Sequence, residues 1–272
     1  MQHFKDLILG AGLSGLSASY YSGAPIFEAS PGIGGVASSH SKGGFIFDAG
    51  IHVLHTTNKS ILDLLDDLGV ELLEKERNAW IYSHRTYTRF PFQVNTYGLP
   101  TEIIIDCIKG FVEASSHNIS CTDNYHKWLL TTFGKGFTNH FMKAYAEKFW
   151  RLPANELTTE WVNIRHPKPK LDEILIGALT DYSKGFGVNA TFMYPAHNGY
   201  GEIAEKLYAS IRENVYLNHE IMQILPESNE IILTNGERCS WGNLYSTLPL
   251  PKLISLIKDV PKGILEASRL LK

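Results

Sequence analysis

The amino-acid sequence predicts an α/β protein: a Rossmann-type domain built on a parallel sheet, joined to a mainly helical lobe. Residues 5–10, with the apolar centre LIL, predict a short buried strand, and residues 13–22 have the small and apolar composition of a packed helix. Residues 25–28, with the sequence PIFE, predict the next strand. Strand, helix and strand in so short a stretch are typical of a βαβ unit. The aromatic and basic segment 123–148 has helical spacing, which predicts the helical lobe.

The chain has 272 residues, enough for one large domain or two modest ones, because domains usually contain ~100–200 residues. Residues 1–75 are predicted to begin the nucleotide-binding domain and residues 76–190 to form the helical lobe. Residues 191–272 are predicted to return to the first domain. A β-hairpin is predicted at residues 80–90, where the helical lobe begins, and a single β segment is predicted at residues 215–225.

Composition and charge exclude several function classes. A formal net charge of −3 gives no general attraction for nucleic acid or anionic membranes. The cysteines, Cys107, Cys121 and Cys239, are widely spaced and form no CxxC motif, which argues against a disulfide framework or a zinc site. No apolar stretch approaches the ~20 residues that span a bilayer. We therefore expect a cytoplasmic protein with no nucleic-acid partner, no transmembrane segment and no metal.

A glycine motif, G-x-G-x-x-G, follows the first predicted strand and opens the first helix. Its first glycine permits a tight turn, its second lets the backbone approach a pyrophosphate, and its third lets helix and strand pack closely. Glu28 ends the second strand, where an acidic residue accepts hydrogen bonds from a ribose hydroxyl. A glycine turn that binds nothing is the alternative, but the complete βαβ context favours a dinucleotide site. The predicted contact residues here are Gly10, Gly12, Leu13, Ser14, Gly15 and Glu28.

The segment after Glu28 distinguishes FAD from NAD. Ala29 leads into a glycine-rich turn, where Gly34 and Gly35 would make a second close approach of backbone to phosphate. This arrangement resembles the FAD-dependent superfamily that includes amine oxidases, protoporphyrinogen oxidase, carotenoid desaturases and UDP-galactopyranose mutase. The resemblance implies FAD as the cofactor, with contacts from Ala29, Gly34, Gly35 and Val36. Val36 departs from the family, which commonly has Arg, Lys or Asn at this position.

Residues 48–56, with the sequence DAGIHVLHT, resemble the G-x-H-x-x-H-T segment of UDP-galactopyranose mutases. In that family the segment lies against the flavin, so the resemblance implies that His52 and His55 line the flavin as catalytic residues. Two ordinary histidines are the alternative, because a strand would place residues three apart on opposite faces. The alternating pattern of residues 44–55 predicts a strand and turn.

Residues 141–150 resemble the F-x-x-x-Y-x-x-K-x-W segment of the same mutases. Phe141 and Tyr145 are four residues apart and share one helix face, where two rings can form a stacking wall for a planar base. The resemblance implies that they hold the uracil of a UDP-sugar, with Trp150 nearby and Arg165 in the similar segment that follows. The alternative is that both rings are ordinary core aromatics.

Four further positions match the superfamily in chain order. Phe90 begins the F-P segment that follows the mutase hairpin, and Tyr194 begins a Y-P step near the flavin region. Ile221 lies where the superfamily's backbone meets the adenine, and Thr247 lies at the return to the nucleotide-binding sheet. The resemblance implies substrate contacts for Phe90 and Tyr194 and cofactor contacts for Ile221 and Thr247.

The resemblance implies a UDP-galactopyranose mutase-like enzyme of cell-surface polysaccharide (LPS/O-antigen) biosynthesis. Such an enzyme interconverts the pyranose and furanose forms of a UDP-sugar through reduced flavin, with no net redox change. A flavin oxidoreductase of the amine oxidase or protoporphyrinogen oxidase type is the alternative. The chain ends at Lys272, before the closing segment of the relatives. A truncated, non-catalytic flavin-binding fragment is therefore a third possibility, as is a homo-oligomer or a partner chain that supplies the missing part.

Overall fold

The computed structural model of the protein describes residues 1–116, 122–162, 168–181 and 191–271. The chain divides into two compact units. The first unit, Met1–Lys75 and Phe192–Lys272, contains the predicted nucleotide site and is called the nucleotide-binding unit below. The second, called the helical unit, consists of Glu76–Thr191. The chain therefore leaves the first unit once and returns to it.

The elements follow one another in a mixed α/β order. The strands are β1 (Gln2–Leu9), β2 (Ile26–Phe27), β3 (Ser39–Lys42), β4 (Phe45–Asp48), β5 (Leu72–Glu76), β6 (Trp80–Ser83), β7 (Thr86–Arg89), β8 (Thr191–Pro195), β9 (Val215–Tyr216), β10 (Ile221–Leu225), β11 (Glu230–Leu233) and β12 (Arg238–Ser246). The α-helices are α1 (Leu13–Ser22), α2 (Lys59–Asp67), α3 (Thr101–Ser115), α4 (Tyr125–Phe137), α5 (Lys143–Trp150), α6 (Leu171–Leu179), α7 (Glu202–Ile211), α8 (Leu250–Leu256) and α9 (Lys262–Ser268). Within the described ranges, no helix has the length and apolar composition to cross a membrane.

A six-stranded sheet forms the centre of the nucleotide-binding unit, in the order β10-β11-β12-β1-β2-β9. The strands β12, β1, β2 and β9 run parallel, whereas β10 and β11 form an antiparallel addition at one edge. The predicted α/β class with a parallel sheet is therefore confirmed, with an antiparallel hairpin added to it.

The central strand β1 is covered on both faces. Its successive residues point to opposite sides of the sheet, so Ile8 joins one apolar cluster while Leu7 and Leu9 join another. The first cluster includes Leu16 of α1 and Leu207 of α7. An apolar run without polar alternation, as in residues 7–9, is what a strand buried on both faces requires.

The core of the helical unit is rich in aromatic residues, including the fully buried Phe92 and Phe137. The helices α3 and α4 approach closely because α4 has glycine at positions 134 and 136. A Cβ on Gly134 or Gly136 would overlap the backbone of α3. A π-helical segment, Thr138–Met142, then joins α4 to α5.

Two segments differ from the prediction in detail. Residues 215–225, predicted as one β segment, form β9 and β10, because Asn218 between them has a φ of 57° that interrupts the extended backbone. The strand predicted within residues 44–55 is confined to β4, which ends at Asp48. The paired strand β3 begins opposite that residue, and Leu54 then forms an isolated bridge with Met193.

Candidate functional site

The glycine motif forms the turn between β1 and α1. Gly10 has a φ of 97°, a left-handed value that favours glycine. Gly15 lies so close to the turn that a Cβ on it would overlap the carbonyl oxygen of Gly10. Gly12 differs, because a Cβ there would have no atom within 4 Å. The fold itself therefore requires Gly10 and Gly15, whereas Gly12 borders open space that a ligand can approach.

The start of α1 presents an uncapped helix end to this space. The N-cap is Gly12, which has no side chain to accept from the first N–H groups, and the first turn carries no acidic residue. Gly34 donates its N–H to the Ala11 carbonyl at 2.8 Å and so holds a second glycine turn beside the first. A Cβ on Gly35 would lie 3.6 Å from the Gly12 Cα. Two backbone turns and a positive helix end thus form an arrangement suited to a diphosphate.

Glu28 is fixed beside the same turn. Its Oε2 accepts from the Ala11 N–H at 2.7 Å, and its Oε1 accepts from the N–H and the hydroxyl of Ser30 at 2.9 and 2.7 Å. These bonds orient a half-buried carboxylate. An ionised carboxylate has about four lone-pair sites, so acceptor capacity remains for a ribose hydroxyl.

The other residues predicted to contact the cofactor differ in accessibility. Thr247 lies behind the glycine turn, where its hydroxyl donates to the Leu9 carbonyl at 2.8 Å. Thr247 therefore supports the turn, and its hydroxyl proton is not available to a ligand. Ile221 is buried at the start of β10, so it would meet a base through its backbone. The predicted positions at the surface, half-buried or exposed, are Leu13, Ser14, Ala29, Gly35 and Val36.

His52 and His55 have different neighbours. His52 stacks on Tyr200, with ring centroids 5.2 Å apart and an interplanar angle of 24°. His55 is exposed and meets Phe192 edge-on, with centroids 6.4 Å apart. The Nδ1 atom of His52 is buried and has no hydrogen-bond partner among the described residues. Since an unpaired buried polar atom is destabilising, a ligand that supplies a partner there would be favoured.

Asp48 organises the backbone around His52, although the sequence pattern did not single it out as a site residue. Its Oδ1 accepts from the Ser39 hydroxyl at 2.6 Å and from the Tyr200 N–H at 3.0 Å. Its Oδ2 accepts from the Tyr194 hydroxyl at 2.7 Å. Burial opposes ionisation, yet these hydrogen bonds hold the pKa of Asp48 below its ordinary value of 3.8. The sequence signal for this role was an acidic residue at the end of an otherwise apolar strand, β4, but that signal did not indicate its hydrogen-bond partners.

Tyr194, predicted to bind substrate, has its hydroxyl committed to Asp48. Burial, together with the hydrogen bond to Asp48 and its negative charge, raises the pKa of Tyr194 to about 12. The phenol is therefore neutral at physiological pH and points its proton at the carboxylate. In this arrangement it has no proton to offer to a substrate.

The aromatic residues predicted as a substrate wall belong to a stacked column in the helical unit. The centroid distance is 4.6 Å between Phe92 and Phe141, 5.2 Å between Phe141 and Tyr145, and 6.2 Å between Tyr145 and Phe149. The column leads from buried Phe92 to the surface, where Tyr145 is 38% and Phe149 57% exposed. A planar base can therefore reach it at the outer end. Phe149 was not predicted, although its spacing of four from Tyr145 is visible in the sequence.

Of the remaining residues predicted to bind substrate, Trp150 meets the outermost ring of this column edge-on, with ring centroids 5.0 Å apart. Trp150 is 37% exposed, and its ring centroid lies 5.0 Å from that of Trp161. The guanidinium of Arg77 lies 4.5 Å from the centre of the Phe90 ring, which it covers. Arg165 lies outside the described residues. Within the described part of the chain, no group of His, Cys, Asp or Glu side chains is arranged to hold a metal ion.

A sequence model of one known family matches most of the chain. It is the model of flavin containing amine oxidoreductases, and it matches residues 24–262. The chain belongs to this family. Because the match begins after the glycine motif, the family assignment and the glycine turn are separate observations. Membership in a flavin-containing family confirms the predicted cofactor, FAD, and the predicted superfamily.

Solved structures share the fold. A crystal structure of reduced UDP-galactopyranose mutase has a TM-score of 0.87 and 26% identity, and the match covers 98% of this chain and 60% of that one. Wild-type putrescine oxidase bound to putrescine has a TM-score of 0.61 and 16% identity, with 98% and 63% covered. A CLA-producing fatty acid isomerase from P. acnes has a TM-score of 0.56 and 16% identity, with the same coverage. The two matches at 16% identity show the fold alone. This chain spans 60% of the length of the mutase chain.

The described residues of the nucleotide-binding unit fit FAD. The open space at Gly12 and the uncapped start of α1 suit a diphosphate. The oriented carboxylate of Glu28 suits a ribose. The buried, unpaired Nδ1 of His52 offers a further polar contact.

Proposed function

We propose that this chain is part or all of a flavin-dependent enzyme of the UDP-galactopyranose mutase type, acting on a UDP-sugar in cell-surface polysaccharide biosynthesis. One observation carries the proposal: the similarity to reduced UDP-galactopyranose mutase extends over 98% of the chain at a TM-score of 0.87 and 26% identity. The corresponding values for putrescine oxidase are 0.61 and 16%. Because the chain spans 60% of that mutase, the proposal concerns the parts of the site that lie within it.

The nucleotide-binding unit would hold and orient the flavin. Backbone N–H groups at Gly12 and Gly35 would bind the diphosphate, Glu28 would accept from the ribose, and His52 would lie against the ring system. Bound FAD, when reduced, would supply the nucleophile for exchange at the sugar's anomeric carbon. The protein itself would position the flavin and the substrate and would exclude competing reactions.

The helical unit would bind the uracil and the diphosphate of the substrate. The exposed end of the column at Tyr145 and Phe149 offers an aromatic face on which a base can stack. Lys148 and Arg151 lie close by in sequence and add positive charge for a diphosphate. Lys143 is already paired with Glu147 at 2.8 Å, which leaves the other two cations as the better candidates.

Titration of the purified protein with UDP, followed by tryptophan fluorescence, tests this proposal. Stacking on one aromatic ring contributes about 0.5–1.5 kcal/mol beyond area burial, so Tyr145→Ala should weaken UDP binding up to about tenfold. Tyr82→Ala is the matched control, because it removes a 64% exposed tyrosine of the same unit outside the column. ADP is the control ligand for base selectivity. Absence of UDP binding to folded protein, or an equal loss in both variants, would overturn the proposal.

A flavin oxidoreductase acting on an amine is the second candidate, favoured by the family to which the chain belongs. Anaerobic mixing of the FAD-loaded protein with putrescine separates the two candidates. Loss of the visible flavin absorption, together with no binding of UDP, would support the oxidoreductase and reject the mutase. The cytoplasmic location, homo-oligomer and partner chain remain predictions.

A further inference from the structure

A hydrogen-bond network centred on Asp48 joins three separate parts of the nucleotide-binding unit. Ser39 at the start of β3 donates to Asp48 at the end of β4 at 2.6 Å. Tyr194 of β8 donates to the same carboxylate at 2.7 Å, and the Tyr200 N–H, just before α7, donates at 3.0 Å. The Ser39 oxygen in turn accepts from the Gly201 N–H at 2.8 Å. One carboxylate thus connects the β3–β4 hairpin to the chain that returns from the helical unit.

The backbone near this carboxylate leaves no spare room. Gly199 has a φ of 75°, and a Cβ on it would lie 2.7 Å from Oδ1 of Asp48 and 2.6 Å from Oγ of Ser39. A Cβ on Gly201 would lie 2.7 Å from the Ser39 nitrogen. The segment around Tyr200 is therefore pressed against Asp48, and the position of Tyr200 depends on the bonds that the carboxylate accepts.

Tyr200 supports the ring of His52. Its ring is 9% exposed and belongs to the apolar cluster under α1 and α7, so it does not move freely. The His52 ring lies on it at 5.2 Å and 24°. Asp48 is therefore linked to His52 through one backbone hydrogen bond and one ring contact, in addition to the charge interaction with His52 that helps to lower the pKa of Asp48.

We infer that Asp48 is a positioning residue: its carboxylate fixes Tyr200, and Tyr200 fixes the ring of His52 on the side where the flavin is proposed to bind. The same carboxylate holds the Tyr194 hydroxyl as an internal donor, so Tyr194 serves the network and does not contact the substrate. The relevance to the flavin rests on the proposed function. The positioning of His52 by Asp48 does not depend on the proposed function.

Two substitutions at Asp48 separate its role as a hydrogen-bond acceptor from its charge. Asp48→Asn keeps one oxygen that can accept from Ser39 and Tyr200, and its amide can donate to the Tyr194 oxygen. Asp48→Leu has a similar size and removes every acceptor. Asp67→Leu is the matched control, because Asp67 is an exposed aspartate at the end of α2. Tyr200→Leu removes the ring that supports His52 and therefore shows the full effect of losing this contact.

Nuclear magnetic resonance of the histidine ring protons gives the decisive readout without cofactor or substrate. The His52 signal, assigned by its loss in His52→Gln, should be displaced by the ring current of Tyr200. Asp48→Asn and Asp67→Leu should leave it in place. Asp48→Leu and Tyr200→Leu should move it towards the signal of His197, whose side chain is 67% exposed. If Asp48→Leu unfolds the chain, the milder pair Ser39→Ala and Tyr194→Phe should each move the signal part of the way.

An unmoved His52 signal in folded Asp48→Leu, or in both milder variants, would overturn the inference. A second readout addresses the flavin: in FAD-loaded protein, Asp48→Leu should shift the visible flavin spectrum, whereas Tyr194→Phe should leave UDP affinity unchanged. A loss of UDP affinity in Tyr194→Phe would overturn its assignment to the network. If the wild-type chain binds neither FAD nor UDP, the proposed function fails, while the nuclear magnetic resonance result still decides the role of Asp48.

Discussion

The substitution Gly12→Ala should separate FAD binding from folding. Gly12 has a φ of −72° and a ψ of 176°, which alanine adopts without strain, and a new Cβ would meet no atom within 4 Å. Alanine at a compatible position stabilises a protein by about 0.4–1 kcal/mol, chiefly because the unfolded chain becomes less flexible. Alanine is less favourable than glycine at an N-cap, which offsets this gain. We therefore expect the free energy of unfolding of the cofactor-free variant to lie within about 1 kcal/mol of the wild-type value.

The same methyl group should strongly weaken FAD binding. It would project into the space that borders the start of α1 and Gly35, where the diphosphate is expected to approach backbone N–H groups. A hydrogen bond to a charged group contributes about 1.5–3 kcal/mol. Loss of one or two such bonds, about 3 kcal/mol, corresponds to more than about 100-fold in affinity.

Urea denaturation of cofactor-free protein measures the first quantity, and titration with FAD measures the second. Gly263→Ala on α9 is the matched control, because its Cβ would also have no atom within 4 Å. Gly15→Ala should instead destabilise the cofactor-free fold by about 3 kcal/mol or more, since its Cβ would overlap the Gly10 carbonyl. Unchanged FAD affinity in folded Gly12→Ala would refute the reasoning about the site.

Three further predictions concern stability and reactivity. Gly177→Ala should destabilise the helical unit by about 3 kcal/mol or more in urea denaturation, because its Cβ would overlap the Val94 carbonyl. A decrease in the free energy of unfolding of less than about 1 kcal/mol, about one tenth of a typical protein stability, would contradict this prediction. The pKa of Asp48 is lowered in the folded protein, so its stabilising contribution is fully present above pH 3.8 and is lost as the pH falls further. The stability advantage of the wild type over Asp48→Asn should therefore shrink below that pH, and a constant difference would count against the network. Burial raises the pKa of the Cys107 thiol to about 12. In a variant whose other cysteines are replaced by alanine, a thiol reagent should therefore modify Cys107 only after the protein unfolds. Rapid labelling of the native protein would show that the thiol is not buried.

The first βαβ unit could be predicted closely because its pattern is local. Apolar runs, small helix residues and the glycine spacing all lie within residues 5–28, and α1 begins and ends where the pattern predicts. The break at Asn218 was not predictable in the same way, because asparagine adopts a left-handed φ only where the surrounding structure requires it.

The candidate site could be predicted in part. The glycines and Glu28 carry their roles in their residue types and spacing, and their geometry agrees with a nucleotide site. The role of Asp48 depends on hydrogen bonds to Tyr194 and Tyr200, which are about 150 residues away in sequence. A periodic pattern in a single sequence carries no information about such long-range pairs. The column at Tyr145 was partly visible because its rings follow one another at helical spacing.

The absorption spectrum of the purified protein, after incubation with FAD and removal of the free cofactor, tests the central claim most directly. We expect flavin bands at about one FAD per chain, bleached by dithionite, and absent from the Gly12→Ala variant. Folded wild-type protein that retains no flavin, or a Gly12→Ala variant that retains as much as the wild type, would contradict the assignment of this turn as the FAD site.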